Sequence, residues 1–310
     1  MNIPEKLSLL RQNLNKVICG KTEPIEYLLM TMVAGGHLLL DDVPGVGKTT
    51  LAKALAKSLA LDFHRVQFTP DLLPSDILGT NVYDQRTAAF TFRPGPVFSN
   101  ILLADEINRA SPRTQSALLE SMSEHQVTTD GVSRSLPPVF MVIATENPIE
   151  FQGTYPLPEA QLDRFMMRIS LGYPDETSEL RLLMDREKAD PLESLQPVLT
   201  GEDLLQIRQT MRKIDMEQSV MGYLVRLLRA TREDSRIALG CSPRAVLMLA
   251  DCARAAALLD NRDYVLPDDI RDLAPVVLSH RIVLSGESRY AGLKASEVLA
   301  DIIRKVSIPL

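Results

Sequence analysis

Tryptophan is absent from the 310 residues, and aromatic side chains make up only 5% of them. A core built without large rings must be aliphatic, which suits parallel sheets and helical bundles. Cysteine and histidine are also scarce. Cys19, Cys241 and Cys252 are scattered, as are the four histidines, and neither set has the spacing of a zinc or redox site. The cysteines read as buried small hydrophobes in a reducing compartment. His37, at the head of the first core strand, reads as structural. Positive charge is not in excess: the net charge is −6 and the pI about 5.4. That excludes general affinity for a phosphate backbone and leaves room only for a local basic loop. No apolar run reaches membrane-spanning length. The start, Met1-Asn2-Ile3-Pro4-Glu5-Lys6, has no signal-peptide core, and Asn2 stands where myristoylation needs glycine. The expected location is cytoplasmic. With 45% hydrophobic and 24% charged residues, the composition is that of an ordinary globular protein, long enough for two domains.

What is present is a phosphate cradle. His37-Leu38-Leu39-Leu40-Asp41-Asp42-Val43-Pro44-Gly45-Val46-Gly47-Lys48-Thr49-Thr50 runs from an apolar strand through a glycine-containing turn into a helix from Leu51 to Ala60. Gly45 and Gly47 allow positive φ and close backbone approach to phosphates. Amides at the helix start point at the β-phosphate. Lys48 adds a point charge near the β- and γ-phosphates, and the Thr49 hydroxyl can hold Mg²⁺. Asp42 stands where the strict G-x-x-x-x-G-K-[ST] pattern has glycine. A second run, Asn100-Ile101-Leu102-Leu103-Ala104-Asp105-Glu106, reads as a buried parallel strand whose C-terminal end meets the nucleotide. Asp105 is expected to hold Mg²⁺ through its water shell, opposite Thr49, and Glu106 to polarise the attacking water.

The rest of the chain organises around these runs. An amphipathic helix over 4–16 and a second from Pro24 to Ala34 flank the apolar link Val17-Ile18-Cys19-Gly20. Strands are expected at 37–42, 63–69, 100–105, 139–145 and near 166–170, with helices at 48–60, 111–124 and 158–163. This alternation predicts a parallel sheet covered by helices. Two β-hairpin inserts are expected, one within Leu78–Phe98 and one within His125–Pro138, the latter turning at Asp130-Gly131. From Pro174 no further strand is obvious. Helices read at 175–189, 202–213, 217–231, 243–258, 267–279 and 295–306, with a capping-box-like Thr200-Gly201-Glu202-Asp203. The expected fold class is therefore α/β with a C-terminal all-helical lid, divided into a core over 1–173 and a lid over 174–310. In Ser242-Pro243-Arg244, Ser242 can cap and Pro243 suits the first helical position. Arg244 then projects from a first turn where a cation is unfavourable for the dipole, which points to a phosphate partner.

The chain resembles the MoxR family of AAA+ ATPases over nearly its whole length. The carrying phrases are Asp42–Thr49, Ala104-Asp105-Glu106-Ile107-Asn108-Arg109-Ala110, Gln115–Glu120 and Ala144-Thr145-Glu146-Asn147-Pro148. The most specific is Gly153-Thr154-Tyr155-Pro156-Leu157-Pro158-Glu159-Ala160-Gln161-Leu162-Asp163-Arg164-Phe165. The resemblance implies an AAA+ core with a helical lid, ATP and Mg²⁺ as cofactors, and hydrolysis in a homo-oligomeric ring, expected to be a hexamer. Asn147 is then the residue that aligns water and γ-phosphate. Arg164 is the arginine finger reaching a neighbour's γ-phosphate, with Arg168 a weaker candidate on the same surface, and Arg244 is a second phosphate sensor acting in its own subunit or across the interface. Val17 and Ile18 resemble the link that contacts adenine, with Pro44, Val46 and Thr50 completing the nucleotide set. Arg109 either lines the subunit interface or makes a structural ion pair. The family reading also implies chaperone-like action on a partner, a von Willebrand factor A domain protein or a metalloenzyme. The alternative is a nucleic-acid-acting AAA+ motor, for which the second hairpin offers only Arg134 as a basic tip residue. A transcriptional activator would need a Gly-Ala-Phe-Thr-Gly-Ala loop, from which Ala88-Ala89-Phe90-Thr91-Phe92 departs. A non-hydrolysing scaffold sits poorly with Lys48 and Glu106 both present.

Overall fold

A computed structural model describes residues 2–147, 154–186 and 190–309. Pro148 and Gly153 of the quoted phrases, and the expected end of one helix at 187–189, lie outside the described residues. Helix α1 (Ile3–Val17) begins at a capping box in which the Asn2 side chain accepts the Glu5 N–H at 2.9 Å and Glu5 reaches back to Asn2 N–H. Its Leu7, Leu10, Leu14 and Val17 form one buried stripe. Helix α2 (Thr22–Ala34) stops at Gly35, whose φ of 78° glycine reaches without a Cβ clash.

Strand β1 (Leu38–Asp41) leads into α3 (Lys48–Ser58), β2 (Phe63–Gln67), the one-turn α4 (Pro74–Leu78) and the hairpin β3 (Gly79–Asp84) with β4 (Ala89–Pro94). Strand β5 (Ile101–Asp105), α5 (Pro112–Glu124) and the hairpin β6 (Gln126–Thr129) with β7 (Val132–Ser135) follow. Strand β8 (Met141–Glu146), α6 (Glu159–Leu162) and β9 (Met167–Ile169) complete the sheet, whose order is β2-β5-β8-β1-β9 with every pairing parallel. Period-2 geometry divides its apolar runs between two faces. Leu38, Leu40, Ile101, Leu103, Met141 and Ile143 join the larger apolar cluster, while Leu39, Leu102, Ala104, Val142 and Ala144 join the smaller one beneath α4 and α5. Both expected hairpins are present. The second turns at Asp130 (φ 52°) and Gly131 (φ 76°), the paired positive φ of a tight two-residue hairpin.

The C-terminal part contains α7 (Glu176–Arg186), α8 (Pro191–Ser194), α9 (Gly201–Met211) and α10 (Gln218–Glu233). Then come β10 (Ile237–Leu239), α11 (Pro243–Leu259), α12 (Pro267–Leu278), β11 (Val283–Leu284), α13 (Gly286–Tyr290) and α14 (Ala295–Lys305). The Thr200 capping box forms with Asp203 in place of Glu or Gln. One expectation is corrected: this part is not wholly helical, because β10 and β11 pair in an antiparallel ribbon. Three and two residues are too few for a period-2 pattern to register. The one-turn helices α4, α8 and α13 escape a 3.6-residue pattern for the same reason. Side chains from α9 to α12 share the larger apolar cluster with α1, α2 and α3. Among the described residues, no helix is long and apolar enough to cross a membrane.

Candidate nucleotide-binding site

The turn between β1 and α3 has the two positive-φ glycines its chemistry requires, Gly45 at 89° and Gly47 at 96°. Gly47 is the N-cap of α3 and no side chain occupies the first amides, so they face the turn. Lys48 is buried and its Nζ donates to the Asp42 carbonyl at 2.7 Å. Burial pushes its ammonium pKa down, opposed by the carboxylates of Asp105, Asp42, Glu106 and Asp41. The departure at Asp42 has a physical account. Its carboxylate accepts from Ser170 Oγ at 2.7 Å, from Gly172 N–H at 3.0 Å and from Leu171 N–H. A glycine there would leave the loop after β9 untied from the phosphate turn.

Strand β5 delivers the acidic pair. Asp105 Oδ1 accepts from Thr145 Oγ1 at 2.6 Å, and Thr145 Oγ1 in turn accepts the Glu106 N–H at 2.8 Å. Thr145 thus fixes both acids from the neighbouring β8. Glu106 has φ 56° and ψ 51°, a left-handed conformation that costs a non-glycine residue about 1 kcal/mol or more. Pro44, Gly45, Gly47, Lys48, Thr49, Thr50, Asp105 and Glu106 all line one cleft of about 320 Å³.

Two side chains in this cleft escaped the sequence reading. Arg65 donates through Nε (3.1 Å) and Nη2 (2.5 Å) to Asp105 Oδ2, and through Nη2 to Gln67 Oε1 at 3.1 Å. Gln67 Nε2 donates to Glu106 Oε2 at 2.6 Å, and Arg109 Nε lies 3.1 Å from the same oxygen. The signal was the polar pair at i and i+2 on β2, which registers Gln67 directly beside Asp105. Arg109 makes the structural ion pair that was one of its two expected roles.

A second pocket of about 570 Å³ shares Gly45, Gly47 and Thr50 with the cleft. Val17, Ile18 and Val46 line it, joined by Cys19, Lys21, Tyr173, Pro174 and Leu183. Its apolar lining beside a polar cleft matches a flat base next to phosphates. The exposed Tyr173 carried no motif to mark it.

The remaining expected residues lie elsewhere. Asn147 is buried just past β8. Arg164 is half-buried, and its Nη1 donates to the Leu119 carbonyl of its own chain. It is not paired with Asp163, which binds Arg281 instead. Arg168 Nη2 donates to Asp41 Oδ2 at 2.5 Å. Ser242 caps α11 and Pro243 is its first residue. Arg244 is exposed and makes no hydrogen bond or ion pair among the described residues. Neither Arg164 nor Arg244 lines the phosphate cleft of its own chain.

Cradle, acidic pair, parallel sheet and helical C-terminal part define a P-loop ATPase of the AAA+ class. The family described as "ATPase family associated with various cellular activities (AAA)" matches residues 37–167, and an AAA lid domain matches 229–302. The chain is 40% identical to "Chaperone MoxR1" of Mycobacterium tuberculosis, over 95% of this chain and 80% of that protein. It is 31% identical to "Protein MoxR" of Methylorubrum extorquens, over 94% and 90%. A crystal structure of a protein assigned as an ATPase from Cytophaga hutchinsonii superposes with a TM-score of 0.92. It is 43% identical to this chain and covers 99% of it, with 96% of that chain matched. The chain belongs to the MoxR family of AAA+ ATPases.

Proposed function

We propose that the chain hydrolyses ATP to ADP and phosphate within a homo-oligomeric ring and uses the cycle to remodel a partner protein. The observation that carries the reading is the buried Lys48 and the Asp105–Glu106 pair in one cleft that opens into an apolar pocket. The donor set fits a hard cation: the half-buried Thr49 hydroxyl and the Asp105 carboxylate line the same cleft and offer oxygen only. Magnesium held there would neutralise charge on the phosphate oxygens.

The chain's own groups do the rest. The α3 amides and Lys48 hold the β- and γ-phosphates. Glu106 accepts a proton from water as its oxygen bonds the γ-phosphorus and the bond to the bridging oxygen of ADP breaks. Gln67 and Arg109 occupy one Glu106 oxygen, so the other is free to face water. Asn147 orients that water. Arg164 of a neighbouring subunit spreads its donors over the γ-phosphate, and Arg244 contributes from the same surface. Support for the trans role comes from the absence of both arginines from their own cleft's lining. Residues 174–310 serve as the lid, and the two hairpins contact the partner.

The names of the relatives support a chaperone-like role, and the client we infer is a von Willebrand factor A domain protein or a metalloenzyme. A nucleic-acid motor is disfavoured. Net charge is −6, and Arg134 is half-buried with its guanidinium stacked 3.8 Å over Phe92. Glu106→Gln should lower turnover about 10²–10⁴-fold while ATP binding is kept. Client capture on that variant with ATP, against Lys48→Ala, tests both claims. Recovery of nucleic acid without a protein client would move the reading to the motor, and normal turnover in Glu106→Gln would end the assignment of the base.

A further inference from the structure

The turn that carries Arg164 is gripped by a residue far along the chain. Arg281 follows α12 in the short turn Ser279–Arg281, and its side chain is 1% exposed. Its Nε donates to Asp163 Oδ1 at 2.9 Å. Nη2 donates to the Asp163 carbonyl at 3.3 Å and to the Phe165 carbonyl. Nη1 donates to the Met166 carbonyl at 3.4 Å and to the Val277 carbonyl near the end of α12. Carbonyls 163, 165 and 166 therefore bracket Arg164 on both sides. Asp163 has a second tie to the C-terminal part: Ser242 Oγ lies 3.0 and 3.2 Å from its two oxygens. Ser242 is the N-cap of α11, whose second residue is Arg244.

A buried ion pair is a poor way to gain stability, because well-packed apolar residues of similar volume commonly do as well or better. What a guanidinium gives instead is geometry: five donors in a rigid fork, here spent on fixed acceptors. A lysine could satisfy one or two of them and would leave the turn free to rotate.

We propose that Arg281 and Asp163 are positioning residues that clamp the Arg164 turn to the start of α11, so that Arg164 and Arg244 are presented to the neighbouring subunit's cleft as one unit. The inference rests on the proposed trans role of Arg164. It predicts a defect that belongs to the neighbour's pocket and not to the subunit carrying the substitution. A merely structural role for Arg281 would damage its own pocket first.

The test mixes subunits of the full chain. Arg281→Met alone should lower kcat about 100-fold while affinity for a non-hydrolysable ATP analogue stays within about threefold, the signature of a misplaced group. Arg281→Lys should recover little of the loss. Mixing Arg281→Met with Glu106→Gln should then raise turnover well above the sum of the two, because the intact cleft of the first receives the intact arginines of the second. The control mixes Arg164→Ala with Glu106→Gln. Recovery in both mixtures supports the clamp. Recovery in the control alone overturns it and leaves the trans reading standing. No recovery in the control overturns the trans reading and the clamp with it. If Arg281→Met does not fold, Asp163→Asn, which keeps the side chain's shape, enters the same mixtures with the same outcomes.

Discussion

The phosphate cleft and the Asp163–Ser242–Arg281 junction are built in opposite ways. The cleft draws mainly on two short runs, Pro44–Thr50 (Val46 excepted) and Asp105–Glu106, joined by Arg65 and Gln67 of β2, because strand ends in a parallel sheet meet at one edge. The junction gathers single residues 79 and 118 positions apart, each embedded in an otherwise apolar or capping context. The cleft keeps Lys48 and Asp105 buried but lining an open cavity beside the half-buried Thr49 and Glu106. The junction spends every donor of a buried guanidinium on its own chain. Chemistry is thus kept where solvent and nucleotide can enter, and geometry is kept where they cannot.

If that division is right, substitutions in the cleft should abolish chemistry and spare the fold. Lys48→Ala carries the largest expected effect. It removes the one buried cation of the cleft, and nucleotide affinity should fall by about 10²–10³-fold, the range for losing a buried charge partner. Thermal melting without nucleotide should move little, because burial already penalises the ammonium. Titration with a fluorescent ATP analogue checks the first statement and calorimetry the second. Unchanged affinity would mean that the cleft is not the phosphate site.

The junction should answer the other way. Arg281→Met removes the cation from Asp163 and the donors from four backbone carbonyls, and about 3 kcal/mol of stability should be lost. Glu106→Gln in the cleft should cost far less. The left-handed backbone at this position is carried equally by glutamine, so that strain is unchanged by the substitution. Denaturant midpoints of the two variants side by side test the contrast. Equal losses would erase the distinction.

The same difference decides what could be read from sequence. Gly45, Gly47, Lys48, Asp105 and Glu106 are legible because phosphate chemistry forces those residue types into consecutive positions. The central strands are legible because runs such as Ile101–Asp105 are buried on both faces. The order of those strands and the register of β2 on β5 are long-range facts, so Arg65 and Gln67 stayed hidden although both lie inside the strand expected at 63–69. Thr145 was inside a quoted phrase, yet its bridge between Asp105 and Glu106 exists only once β8 lies beside β5. Arg281 carries no local signal: a cation near a helix C-terminus is ordinary. The ribbon of β10 and β11 is too short for any pattern.

Acid offers a smaller and sharper comparison. His37 is buried beside the junction. Its carbonyl accepts the Met166 N–H at 2.8 Å, Nδ1 accepts the Val142 N–H at 3.0 Å, and Nε2 lies 3.3 Å from the Met122 carbonyl. Burial, reinforced by His125 and Arg208, pushes its pKa down to about 3 from 6.5. The unfolded chain therefore binds a proton that the folded chain refuses. This contribution is complete above pH 6.5, is lost as pH falls toward 3, and amounts to about 2 kcal/mol by pH 5. His37→Gln should be less stable at pH 7.5 and should lose the corresponding slope between pH 6.5 and 5. A slope that persists unchanged in the variant would assign it to other groups.

The two hairpins give the smallest effect. They are also joined by single residues, Asn81 Nδ2 donating to Asp130 Oδ2 and Arg134 stacking on Phe92, but these contacts are at the surface. An exposed cation–π pair is worth about 0.5–1 kcal/mol, against the several carbonyls held by Arg281. Arg134→Ala should therefore leave global stability within about 0.5 kcal/mol, as surface changes usually do. Hydrogen exchange at the amides of 126–135 should nevertheless quicken, because that hairpin would open without its partner. Thermal melting and exchange measured on one sample separate the two. A large fall in melting temperature would mean that the hairpins, like the junction, belong to the frame. Faster exchange without that fall would make them a coupled but separable surface unit, free to move while the clamp at Arg281 holds.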